Sequence, residues 1–94
     1  MIYIQYQDDC DVYLFNSFEE IENYDKVVYI CCDDNQLCSL PKLPDLIKSL
    51  YCRNNQLSVL PNLPNSLKKL RCENNKIIQK EKYKYKYLIK IMYM

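Results

Sequence analysis

Apolar and polar positions alternate in short bursts that return at a fixed distance. In Ser49-Leu50-Tyr51-Cys52-Arg53 the apolar Leu50 and Cys52 are separated by polar or amphipathic neighbours. That is the period-two pattern of a short strand with one buried face. The same phrase occurs as Ile30-x-Cys32-x-x-Asn35-x-Leu37, Leu50-x-Cys52-x-x-Asn55-x-Leu57 and Leu70-x-Cys72-x-x-Asn75-x-Ile77, a period of 20 residues. A unit of that length buries its apolar side only by stacking on the next, so the pattern predicts a solenoid. Its strands would run parallel, about 4.8 Å apart, with Ile30, Leu50 and Leu70 inside beside a column of cysteines.

The segments between the strands are equally patterned. Asn35, Asn55 and Asn75 follow the strand ends, where backbone groups lose their ladder partners and a buried amide can both donate and accept. Leu40-Pro41-x-Leu43-Pro44 and Leu60-Pro61-x-Leu63-Pro64 forbid helix and favour an extended, polyproline-like return path. Asp45 and Asn65-Ser66 then turn the chain, with Ile47 or Leu67 plugging the core.

Taken together, Leu60-Pro61-x-Leu63-Pro64-x-x-Leu67-x-x-Leu70-x-Cys72-x-x-Asn75-x-Ile77 resembles a leucine-rich repeat of the short Leu-Pro-x-Leu-Pro type. Similar units occur in bacterial effector repeat domains and in the mimivirus-like repeat proteins of giant DNA viruses. The resemblance implies a short solenoid arc with a parallel sheet on its concave face, and a role in recognising another protein. It implies no particular partner. The ubiquitin-ligase domain that accompanies such repeats in the effectors has no counterpart here.

Three regions are expected. Residues 1–26 read as an N-terminal cap. Ile2-Tyr3-Ile4-Gln5-Tyr6 and Val12-Tyr13-Leu14-Phe15 make a hairpin, and Ser17-Phe18-Glu19-Glu20 opens a short helix ending near Tyr24. Residues 27–77 carry the repeats. Residues 78–94 are a Lys/Tyr-rich segment, either a degenerate capping strand in which Leu88, Ile91 and Tyr93 take up the pattern, or a tail.

Composition narrows the function classes. A chain of 94 residues with net charge +1 exerts no global pull on nucleic acid or anionic membrane. The stretch from Lys76 to Lys90, with six lysines against one glutamate, confines any steering to that end. Its interleaved tyrosines raise single-stranded nucleic-acid binding as an alternative. The N-terminus has no basic start and apolar core, and no apolar run approaches the ~20 residues that span a bilayer. An intracellular protein, not secreted and without a membrane partner, is therefore expected. Cys32, Cys52 and Cys72 recur at one position of the unit, which reads as reduced core rather than a disulfide framework. The chain has no histidine, adjacent Cys31 and Cys32 must face opposite ways, and no Cys-x-x-Cys spacing is present. No metal or cofactor is expected.

The outward rows are the candidate surface: Tyr29, Ser49 and Lys69; Cys31, Tyr51 and Arg71; Asp33, Arg53 and Glu73. The last row reads as a ladder of alternating charge that satisfies itself. Tyr29, Tyr51, Arg53, Lys69, Arg71 and Glu73 are the residues proposed to meet an unidentified protein, since tyrosine and arginine carry much of the energy at interfaces. No nucleophile stands beside a base in a recognisable motif, so no enzyme is predicted. The alternative within the resemblance is a degenerate member that has kept no activity.

Overall fold

The computed structural model describes residues 1–78 and the backbone of 91–93. Six strands form one sheet: β1 Ile2–Tyr6, β2 Tyr13–Phe15, β3 Val27–Cys31, β4 Ser49–Tyr51, β5 Lys69–Arg71 and β6 Ile91–Tyr93. Their order across the sheet is β2-β1-β3-β4-β5-β6. β1 pairs antiparallel with β2 and with β3, whereas β3, β4, β5 and β6 pair parallel.

The expected leucine-rich repeat solenoid is therefore corrected to a small domain built on an open, mixed sheet. The first strands lie in the same sheet as the twenty-residue units, because Ile2 and Ile4 need the same core that Ile30 needs. All three are at most 2% exposed. Helical structure amounts, among the described residues, to two 3-10 turns, Phe18–Glu20 and Tyr24–Lys26. The radius of gyration, 12.5 Å, is that of a compact domain of this length, about 12 Å. Too few units are present to build an arc.

Within the sheet, the 20-residue spacing appears as strand register. Tyr29 pairs with Ser49 and Ser49 with Lys69; Ile30 pairs with Leu50 and Leu50 with Leu70. Ile30, Leu50 and Leu70 are fully buried, and Cys32, Cys52 and Cys72 lie beside them at 1% exposure or less. Leu43, Ile47, Leu57, Leu60, Leu63, Leu67 and Ile77 close the core from the return segments. The prolines in these segments keep them extended and deny them a helix.

The bends after the strands are made without glycine. Asp34, Asn54 and Asn74 sit at φ 60°, 58° and 58°, the left-handed region that asparagine and aspartate enter more easily than other residues with a Cβ. Asn55 follows and is the buried polar residue of the core at 8% exposure. Its Oδ1 accepts from the N–H of Asn35 (3.0 Å) and Leu37 (2.9 Å). Its Nδ2 donates to the carbonyls of Cys32 (3.0 Å), Cys52 (3.1 Å) and Arg53 (3.1 Å). Asn75 repeats the arrangement one unit on, accepting from Leu57 and donating to the carbonyls of Cys52 and Cys72.

The helix expected to end near Tyr24 is replaced by the two 3-10 turns. Glu20 does reach back, its carboxylate accepting from the N–H groups of Asn16 (2.8 Å) and Ser17 (3.1 Å). Asn23 in the left-handed region at φ 50° then breaks the run. At the far edge, β5 pairs Leu70 with Ile91 and, after an irregularity, Arg71 with Tyr93. The rest of the Lys/Tyr segment lies outside the described residues, as does its proposed nucleic-acid role.

Candidate functional site

The outward face of the sheet is built by residues one place off the core positions. Tyr3 pairs with both Leu14 and Cys31, Cys31 with Tyr51, and Tyr51 with Arg71. One row therefore crosses five strands: Leu14, Tyr3, Cys31, Tyr51, Arg71. A second crosses four: Gln5, Tyr29, Ser49, Lys69. At about 4.8 Å per strand, the first row is about 19 Å wide. Leu14 is 54% and Tyr3 41% exposed, so its hairpin end is apolar and open.

Tyr51 is the centre of this face. Its ring meets that of Tyr29 edge-on, with centroids 5.8 Å apart and planes at 65°. The Arg53 guanidinium and the Lys69 ammonium each lie 5.6 Å from the ring centroid, within range for attraction to the π face. Arg53 is also fixed by Asp33, whose Oδ2 accepts from Nε (3.0 Å) and Nη2 (2.7 Å) and whose Oδ1 accepts from the Arg53 backbone N–H (2.6 Å).

Tyr29, Tyr51, Arg53 and Lys69 are thus brought together around one ring. Arg71, the last residue of β5, and Glu73 just beyond it form a separate pair, Nε to Oε1 at 3.2 Å and Nη2 to Oε2 at 2.6 Å. The Arg71 guanidinium holds the Glu73 carboxyl below its usual pKa. In the row Asp33, Arg53, Glu73, expected to be a ladder of alternating charge, Arg53 is attracted to both carboxylates but contacts them unequally. Asp33 and Arg53 pair across strands, while Glu73 turns to Arg71. Tyr3, Gln5 and Leu14 belong to the face and were not among the residues singled out from sequence. Their signal is the alternation Ile2-Tyr3-Ile4-Gln5, which puts Tyr3 opposite the buried isoleucines.

Two titratable groups on this face are shifted away from ionisation. Burial pushes the Cys31 thiol above its ordinary pKa, away from the thiolate a nucleophile needs. Burial, with Cys31 next to it, pushes Tyr29 up to about 12. Elsewhere, ligand-type atoms of Asp9, Cys10 and Asp11 lie within 4.8 Å of one another on the exposed hairpin loop. The Asp9 carboxylate there already accepts from Tyr13 and from the Asp11 N–H. Among the described residues no helix is long and apolar enough to cross a membrane. Comparison with protein-family models, curated proteins and solved structures gives no match.

Proposed function

We propose that this is a non-catalytic binding module that meets another protein through the outward face of its sheet. The observation that carries the reading is the cross-strand row of Leu14, Tyr3, Cys31, Tyr51 and Arg71, apolar and exposed at one end and cationic at the other. Tyrosine and arginine at the centre of a contact supply much of its energy. The neighbouring rings and cations hold Tyr51 in place, so little side-chain freedom is lost when a partner arrives. A face about 19 Å wide is the centre of an interface rather than the whole of one, and the partner extends over the flanking loops. The buried thiols Cys32, Cys52 and Cys72 support a reducing, intracellular setting.

The test is affinity capture with the wild-type chain beside two triple variants, Tyr51→Ala/Arg53→Ala/Arg71→Ala and Tyr3→Ala/Leu14→Ser/Tyr51→Ala. Proteins held by the wild type and lost from both variants identify the partner and the face. Identical captures by all three chains remove this surface from consideration. No capture by any of them favours a chain that retains no binding activity.

A further inference from the structure

The hairpin end of the sheet carries a groove of about 450 Å³ lined by Tyr6, Tyr13, Phe15, Asp8, Asp9, Glu22 and Lys26, among others. It is separate from the outward face: Tyr13 pairs with Ile4 and Phe15 with Ile2, so both rings are on the side of the hairpin that faces the core. We propose that this groove binds an alkylammonium cation, with aromatic rings as walls and carboxylates around the rim. The proposal is independent of the outward-face reading.

The Tyr6 and Tyr13 rings stand with centroids 5.4 Å apart and planes tilted by 59°. Rings at that distance and tilt pack against one another and make one aromatic wall of the groove, which Phe15 extends. Ring faces carry negative potential and attract cations whose charge is spread over methyl or methylene groups. The rings are also anchored. Tyr6 Oη donates to the Glu22 carbonyl at 2.7 Å, and Tyr13 Oη donates to the Asp9 carboxylate. Walls fixed before the ligand arrives lose little freedom on binding.

Charge selects the ligand's sign. Three carboxylates, Asp8, Asp9 and Glu22, face one ammonium, that of Lys26, so the lining is net negative. Asp9 is held ionised by the Tyr13 hydroxyl and by the Asp11 N–H at 2.9 Å. Among the described residues no donor or cation holds the carboxylates of Asp8 or Glu22, which leaves them for a ligand. An inorganic anion is excluded by sign. A bare metal ion gains little from ring faces and finds Asp9 already engaged. A cation sheathed in carbon uses both the rings and the rim.

Two sources share this chemistry: a free quaternary amine, or a methylated lysine side chain on a peptide. The test is amide NMR of the full chain titrated with tetramethylammonium, with a short peptide bearing trimethyllysine, and with tert-butanol as an uncharged analogue of similar shape. Shifts are expected at Tyr6, Tyr13, Phe15 and their neighbours for both cations, with tert-butanol about tenfold weaker or more. A peptide that binds about tenfold tighter than tetramethylammonium makes methyl-lysine the source; equal affinities make it the free amine. Tyr13→Leu keeps bulk without the ring and is expected to weaken binding about fivefold or more, whereas Tyr13→Phe keeps the ring, loses only the anchor to Asp9, and is expected to weaken it less. Tyr13 is 37% exposed, and unchanged shifts elsewhere in each variant report that the fold is intact. Equal binding of tert-butanol, tetramethylammonium shifts that miss the groove, or unaltered binding by Tyr13→Leu each overturn the proposal.

Discussion

Asn55 makes five hydrogen bonds, three of them to the preceding twenty-residue unit, and its truncation measures what that junction contributes. In Asn55→Ala the amide disappears and five backbone groups lose a partner: the N–H of Asn35 and Leu37, and the carbonyls of Cys32, Cys52 and Arg53. The Cys32 carbonyl is bonded in buried surroundings, the Cys52 carbonyl keeps its second bond from Asn75 Nδ2 (2.9 Å), and the other three groups are part-buried, where water can replace the amide. A buried polar group left unpaired costs about 1–3 kcal/mol. One such carbonyl and a smaller share from the rest give a loss of about 2–4 kcal/mol. A domain of this length has about 5–14 kcal/mol of stability in all. Urea unfolding followed by tyrosine fluorescence and circular dichroism reads the difference directly. The exposed Asn62→Ala serves as control and is expected within about 0.5 kcal/mol of wild type.

Asn55→Asp sharpens the test, because it keeps both acceptances and replaces the donor with a carboxylate aimed at carbonyls. Its folded-state pKa is expected above the unfolded value of about 3.9. A raised folded pKa means stability present at low pH and lost as pH rises from about 4 through the folded value. The variant should therefore be closer to wild type at pH 4 than at pH 7. A loss below about 1 kcal/mol in the alanine variant, or a pH-independent aspartate variant, would show that solvent or relaxation satisfies these groups and that the Asn55 junction contributes little.

Two further outcomes follow from the same structure. Burial pushes the Cys32 thiol up to about 12 and Cys52 higher still, while an unfolded thiol ionises near 8.5. Stability is thus complete below that value and falls as pH rises toward the folded pKa, by on the order of 1 kcal/mol per buried thiol at pH 9.5. Urea midpoints at pH 7.5 and 9.5 check this, and Cys52→Ala should reduce the difference. Gln36 occupies the left-handed region at φ 58°, a strain of roughly 1–2 kcal/mol for a residue with a Cβ. Gln36→Gly is expected to gain a net ~0.5–1 kcal/mol after the added freedom of the unfolded chain, and a lower thermal midpoint would disprove it.

Strand pairing between the twenty-residue units was legible because parallel neighbours share one repeat position: equal spacing in sequence becomes register in space, as with Ile30, Leu50 and Leu70. The overall class was not. The period says nothing about the first 26 residues, and their alternating isoleucines join the same sheet antiparallel, turning a supposed arc into a compact mixed domain. That pairing also brings Tyr3 and Leu14 beside Cys31, a juxtaposition set by tertiary register and a shift between Gln5 and Tyr6. The pairing of Arg71 with Glu73, two residues along the chain, is set by side-chain geometry, which spacing does not encode. The aromatic groove draws on two strands and two turns, so no local stretch announces it.

Bending a chain with asparagine where glycine would serve exposes it to slow chemical wear. Asn54 and Asn74 are solvent-exposed at their bends and are linked by a hydrogen bond in which Asn74 Nδ2 donates to Asn54 Oδ1 at 3.0 Å. Deamidation of Asn74 would remove that donor and set a carboxylate against a carbonyl oxygen, though aspartate still tolerates the backbone geometry. Their neighbours Asn55 and Asn75, shut in by the carbonyls they bond, would outlast them. A stored sample should therefore gain negative charge at its bends well before it loses its fold.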